Sequence, residues 1–191
     1  MNFTSFIIYC MIVTFTPGPT NIVILSTAHN LGTKKAMHFT YGATIAFGIL
    51  LAVSTMLNTL LIAVLPKILI VMQVVGSLYM FYLAYQIVKK NASKTAVNET
   101  ATFRTGFLMQ FLNPKMLLFA MTVIPSFILP HYIQIPALTI SVFAITLIGF
   151  SAFITWVLFG TIFKKVLQKH SKIVNVVMAL FLAYSAVMIW M

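Results

Sequence analysis

The chain has 191 residues, of which 61% are hydrophobic and 7% charged, with a mean hydropathy of +1.06 and a formal net charge of +11. That composition excludes a water-soluble domain of this size, and long unbroken apolar runs exclude the short alternating segments of a membrane β-barrel. What remains is an all-α membrane protein whose cations lie between apolar runs, so that its broad partner is the lipid bilayer and not nucleic acid.

Six transmembrane helices are predicted, at about 3–28, 39–65, 68–88, 107–129, 137–163 and 173–190, forming one transmembrane domain over 1–191. Each is near or above the ~20 residues that cross a hydrocarbon core. The first run has no basic n-region and no clean small-residue cleavage site, so it reads as a span and not as a leader. It is interrupted by Thr16-Pro17-Gly18-Pro19-Thr20-Asn21. Proline has no backbone N–H and clashes with the preceding turn, and an unpaired backbone group inside a bilayer costs several kcal/mol. Such a break is tolerated where protein or a water-filled cavity satisfies the freed groups. The segment after Pro19 restarts as a half-helix whose first N–H groups are free and suit a carboxylate, with Thr16, Thr20 and Asn21 as polar partners. The alternative is a packing kink. Cys10, the single cysteine, reads as a small buried filler, and one cysteine cannot run a thiol–disulfide relay.

In the second and third helices Gly42, Gly48, Gly76 and Ser77 allow close helix approach, as do Gly149, Ser151 and Ala152 in the fifth. Asn58 and Gln73 read as interhelical amides. The polar stretch 89–106 is predicted to be a mobile cytoplasmic loop dividing the chain into halves, and it holds Glu99, the only acidic residue.

The fourth helix carries a second break, Leu112-Asn113-Pro114-Lys115, one turn after Gln110. Lys115 is the one charge placed clearly inside the membrane. An intramembrane ionisable residue is a functional hypothesis by default, and three partners are open to it: a substrate carboxylate, a lipid phosphate, or carbonyls freed by a break. Snorkelling to the cytoplasmic interface is the competing reading. Gln110 bonds either another helix or substrate.

The basic residues orient the chain. Lys34 and Lys35 follow helix 1, Lys89, Lys90, Lys94 and Arg104 follow helix 3, and Lys164, Lys165, Lys169 and Lys172 follow helix 5, with only Lys67 on the opposite side. The positive-inside rule makes the first set cytoplasmic and both termini external. Three helices per half then make the halves inverted, with helices 1 and 4 broken. Pro17 lies about 14 residues, or roughly 21 Å, past Phe3, and Pro114 lies about 7 residues, or roughly 10 Å, past Phe107. In inverted halves both breaks fall at one depth, about 10 Å from the cytoplasmic face of a ~30 Å core.

His29, His38, His131 and His170 are placed at helix ends or loops as interface residues without metal-ligand spacing. Tyr79, Tyr82, Tyr85, Trp156 and Trp190 read as core or interfacial aromatics. The sequence has no nucleotide-binding loop, no Ser/His/Asp arrangement and no HExxH, so neither ATP-driven transport by this chain alone nor an intramembrane hydrolase is supported. No cofactor or metal is expected, and the chain is not read as an enzyme.

These residues resemble the LysE/RhtB family of bacterial amino-acid exporters. The likeness runs from Phe15-Thr16-Pro17-Gly18-Pro19 through Gly32 and Gly42, the stretch Gly76–Tyr85 and Phe103-Arg104-Thr105-Gly106-Phe107-Leu108 to Asn113-Pro114-Lys115. The end of helix 4 and the final helices look most like the cysteine/O-acetylserine exporter branch. The resemblance implies six helices, the bacterial plasma (inner) membrane, and export of amino acids or derivatives coupled to the proton gradient. Here no membrane carboxylate exists to meet a cationic side chain, so small neutral amino acids (cysteine, O-acetylserine or threonine-like) are the expected cargo. The expected substrate-binding set is Thr16, Pro17, Gly18, Pro19, Asn21, Gln110, Asn113, Pro114 and Lys115. A homodimer is expected, since 191 residues offer little protein to enclose a pathway. A non-transporting scaffold and a passive efflux channel are the alternatives.

Overall fold

The computed structural model describes residues 2–56, 58–89, 102–188 and 190, and every regular element among them is helical. α1 (Phe3–Phe15) and α2 (Pro19–Leu31) meet at a 52° bend. α3 (Thr33–Met56) and α4 (Asn58–Lys89) follow. α5 (Phe103–Phe111) meets α6 (Pro114–Val123) and its π-helical continuation Ile124–Ile128 at 63°. α7 (Ile135–Ile162), the short α8 (Lys164–Lys169) and α9 (Ser171–Met188) complete the chain. α3 and α7 are each long and apolar enough to cross a bilayer, and so is each bent pair taken as one broken span.

Both breaks expected from the prolines are present. The boundary between the second and third apolar segments does not fall between residues 65 and 68. Instead of helices at 39–65 and 68–88, α3 ends at Met56 and α4 runs through Pro66 to Lys89. A lone proline removes one hydrogen bond, which a membrane helix absorbs as a kink. Two prolines around a glycine remove more than a kink can repair. α5 likewise starts four residues before the expected 107, because Thr102 and Thr105 form a capping box: Thr105 N donates to Thr102 Oγ1 at 3.2 Å and Thr102 N to Thr105 Oγ1 at 3.0 Å. Most of the expected loop, with Lys90, Lys94 and Glu99, lies outside the described residues, as do the side chains of Asn58 and Gln73.

The two broken segments run antiparallel along each other. Phe6 packs at a tilt against Phe127 with ring centroids 5.8 Å apart, Tyr9 and Thr122 hydroxyls lie 2.9 Å apart, and further along Thr20 meets Asn113 and Gln110. The core divides at the level of the breaks. On one side Phe6 and Cys10 of α1 pack with Phe119, Val123 and Ile128 and with Phe47 and Leu51 of α3. On the other, α2 packs with Phe39 of α3, Met109 of α5, Phe153 of α7 and the α4–α9 pair. α3 spans both. It crosses α5 at two glycines: a Cβ on Gly42 would run into the Phe103 carbonyl, and one on Gly106 into the Phe39 carbonyl. α4 and α9 are pinned by Ser77, which donates to the Ala186 carbonyl at 3.1 Å and accepts from the Trp190 indole at 2.9 Å.

One end gathers Lys34 and Lys35 with the cations of α8. Gln168 Nε2 donates to the His29 carbonyl at 3.1 Å, and the Thr33 and Thr161 hydroxyls lie 3.1 Å apart. Lys34 and Lys35 therefore sit beside α8 with Lys164, Lys165 and Lys169. His38, His131 and His170 are exposed as expected. His29 is not an interface residue: it is fully buried in the last turn of α2, under the returning α8. Large apolar side chains stay exposed along α1, α7 and α9, including Ile7, Ile12, Ile140, Phe143, Leu180 and Tyr184. Such faces are stable against lipid tails and not against water.

Candidate functional site

In an unbroken helix the carbonyls of residues 13–16 would accept from the N–H groups of residues 17–20. Pro17 and Pro19 have none, and the bend withdraws the rest. Side chains replace three of these bonds and part of the fourth. Thr14 O accepts from Asn21 Nδ2 at 3.0 Å and Phe15 O from the Trp156 indole at 3.1 Å, whereas the one Thr16 hydroxyl proton goes chiefly to Ile12 O at 2.7 Å and is shared with Val13 O at 3.3 Å. Thr16 O accepts from Asn21 Nδ2 at 2.9 Å and from Lys115 Nζ at 3.0 Å. Lys115 Nζ also donates to Thr16 Oγ1 at 2.8 Å and approaches Pro17 O at 3.5 Å. Of the three partners open to Lys115 in the sequence, the freed carbonyls of the opposite break hold it. The C-terminal end of α1 carries partial negative charge, which favours a cation there.

The second break is tied to the first. Asn113 is the N-cap of α6: its Oδ1 accepts from Lys115 N at 3.2 Å, while its Nδ2 donates to Thr20 Oγ1 at 2.8 Å. Thr20 in turn donates to Gln110 Oε1 at 3.0 Å. One cross-break chain thus runs Asn113, Thr20, Gln110, all three buried. A polar chain in a low-dielectric setting is strong only when its members are paired, and here the buried Gln110 Nε2 has no partner among the described residues.

A cavity of about 320 Å³ opens between the breaks, at the lower end of the range for small-molecule sites. Its walls are Pro17, Gly18 and Pro19 from the first break, Asn113, Pro114, Lys115 and Leu118 from the second, and Tyr184 and Ser185 of α9. Lys115 is the only charged residue among them. Six of the nine expected site residues therefore line one cavity, and Thr16 reaches it through Lys115. Asn21 and Gln110 lie behind the wall, fully enclosed and bonded to backbone or to Thr20. Four participants, Leu118 among them, were not assigned a site role from sequence. Trp156 caps Phe15 O from 141 residues away; the freed carbonyl was foreseeable, its donor was not. Tyr184 and Ser185 carry no signal in an apolar helix. Beyond Pro17 a second cavity of about 250 Å³ is lined by Ile22, Leu25, Trp156, Val174, Phe181 and other apolar side chains of α2, α8 and α9. Among the described residues no three His, Cys, Asp or Glu side chains cluster as metal ligands.

Comparison with known proteins adds a family and relatives. The profile of the LysE type translocator family matches residues 11–191. The chain is 28% identical over its whole length to a cysteine/O-acetylserine efflux protein of Salmonella paratyphi A, covering 98% of that protein. Proteins of the same name from Klebsiella pneumoniae and Escherichia coli K12 are 30% and 26% identical, over 97% and 98% of this chain and 95% and 96% of theirs. No solved structure matches.

Proposed function

Because this chain belongs to the LysE-type translocator family, we propose that it is a secondary exporter of small neutral amino acids or their derivatives across the bacterial inner membrane, driven by the proton gradient. The relatives' names support cysteine and O-acetylserine as cargo, and threonine has similar size and polarity. The chain crosses the membrane six times as two inverted three-helix halves, with α1–α2 and α5–α6 as broken spans and the basic end in the cytoplasm. Both termini then face outward. The antiparallel course of the broken spans supports the inversion, since helices that enter from opposite sides must run that way.

The observation that carries this reading is the cavity between the two breaks, bordered by one cation and by carbonyl acceptors. An amino-acid carboxylate would meet Lys115 and the N-terminal N–H groups of α2, and the ammonium would meet the carbonyl oxygens of Thr16 and Pro17. Pro17, Gly18, Pro19, Asn113 and Pro114 shape the cavity, while Asn21 and Gln110 hold its wall. No carboxylate lines it, so a cationic side chain has no partner there. The cavity borders exposed Thr16, Pro17 and Tyr184, and a homodimer would cover that flank.

The test is efflux from cells loaded with cysteine, O-acetylserine, threonine, leucine, lysine or arginine, with and without an uncoupler. Saturable, uncoupler-sensitive loss of the small neutral species is expected. Lysine or arginine as the best cargo would overturn the electrostatic argument, and non-saturating or absent efflux would overturn the carrier reading.

A further inference from the structure

Lys115 stands where the cargo's ammonium would go. Its Nζ faces three acceptors, Thr16 Oγ1 at 2.8 Å, Thr16 O at 3.0 Å and Pro17 O at 3.5 Å. An ammonium has three N–H donors and no acceptor, so this cluster fits a primary ammonium in number and in polarity. The acceptors are neutral: a second cation entering the cluster would find no anion to offset the first. Gly18 leaves the stem room, since a Cβ there would lie 3.2 Å from Lys115 Cδ and 3.3 Å from Nζ and would press the side chain aside by a few tenths of an ångström. The cluster is also within reach from outside the protein core. Thr16 and Pro17 are exposed, and Pro17, Gly18 and Lys115 share the wall of the 320 Å³ cavity.

We propose that Thr16 and Pro17 form a primary-ammonium subsite which the chain's own Lys115 occupies, as a tethered stand-in for cargo. An arriving amino acid exchanges its ammonium for that of Lys115, and the released Nζ pairs with the cargo's carboxylate. No bond is made or broken and no proton need move; one cation replaces another. The identity of the cargo rests on the export reading, but the subsite does not. Two selectivities follow. Quaternary ammonium compounds have no N–H to donate and are refused. Dibasic amino acids bring a further cation beside the displaced Lys115 and are disfavoured.

A tether keeps Lys115 at a high effective concentration, which masks the subsite from free amines. Removing it should unmask the subsite. The experiment titrates ethylammonium chloride into purified protein in lipid nanodiscs, in a Trp190→Phe background so that Trp156 is the only indole. That indole bonds Phe15 O, one residue from Thr16, and its fluorescence reports the cluster. Lys115→Ala should give a saturable response at least about tenfold tighter than the unsubstituted protein, corresponding to the loss of a tethered competitor. It should give none with tetramethylammonium. A folded Lys115→Ala protein that responds no better than the parent, or responds equally to tetramethylammonium, overturns the subsite. If the alanine variant does not fold, Lys115→Met keeps the stem against Gly18 and is titrated with ammonium chloride, and a folded methionine variant without a response overturns it equally. Binding is read at equilibrium, so absent amino-acid efflux in cells would sink the export reading and leave the subsite standing.

Discussion

Asn113 does two jobs with one amide: its oxygen caps α6 and its nitrogen holds Thr20 of the opposite break. The two can be separated. Asn113→Ser keeps a neutral cap acceptor and loses the amide donor, whereas Asn113→Ala loses both. Thermal unfolding in detergent should rank the alanine variant below the serine one, with the alanine change costing about 1–3 kcal/mol from a lost cap and an unpaired buried partner. Equal stability of the two would show that the cap contributes nothing. Trp156→Phe preserves the ring and deletes the indole donor to Phe15 O, and the same assay should report a loss of about 1–3 kcal/mol; no loss would mean that another donor reaches that carbonyl. At this scale the sequence was half legible. Proline chemistry identifies Pro17 and Pro19 as residues that strand carbonyls. It does not say that the donors come from Asn21, Lys115 and Trp156, because those contacts depend on how distant helices meet. His29 shows the same limit: beside a basic loop it reads as an interface residue, and only the return of α8, with Gln168 on its carbonyl, buries it.

Between elements, glycine spacing predicts close approach without naming the neighbour. Gly42 and Gly106 prove to face each other's helix backbones, while Gly48 has only ordinary contact with the Thr146 side chain, 3.4 Å from where a Cβ would stand. Gly106→Ala should therefore force α3 and α5 apart and lower the yield of folded protein sharply, whereas Gly48→Ala should leave yield and melting temperature near the parent's. Monodispersity on size exclusion with a thermal melt checks the pair, and an unaffected Gly106→Ala protein would show that the crossing can relax. The breaks behave as elements in their own right. Pro17→Ala restores an N–H that Val13 O can accept, which favours straightening the 52° bend. The protein should still insert, by membrane fractionation, while efflux falls to background; unchanged efflux would remove the first break from the transport cycle. The passage of α4 through Pro66 shows that the effect of a single proline depends on whether the surrounding helix can keep its remaining bonds.

For the molecule as a whole, hydropathy made the apolar segments legible and charge made their ends legible, because both are sums over many residues and tolerate local error. Their pairing in space is not a sum, and only the structure shows one core on each side of the breaks with α3 passing through both. The proposed orientation is testable with the single native cysteine removed by Cys10→Ser. Lys35→Cys should then be modified by a membrane-impermeant maleimide only in opened cells, and Tyr132→Cys, at the far end of the fold, in intact ones. The reverse pattern would invert the topology. The dispersed origin of the donors at the first break also sets an order of events during synthesis. The carbonyl of Phe15 enters the bilayer before its partners exist: the indole that serves it is made 141 residues later, and the Lys115 that serves Thr16 comes 99 residues later. Until then those groups depend on water, lipid head groups or the translocation machinery, since hydrocarbon supplies no donor. The α1–α2 span is thus inserted well before it is finished, and nascent chains halted before Trp156 emerges should be the ones that membrane quality control removes.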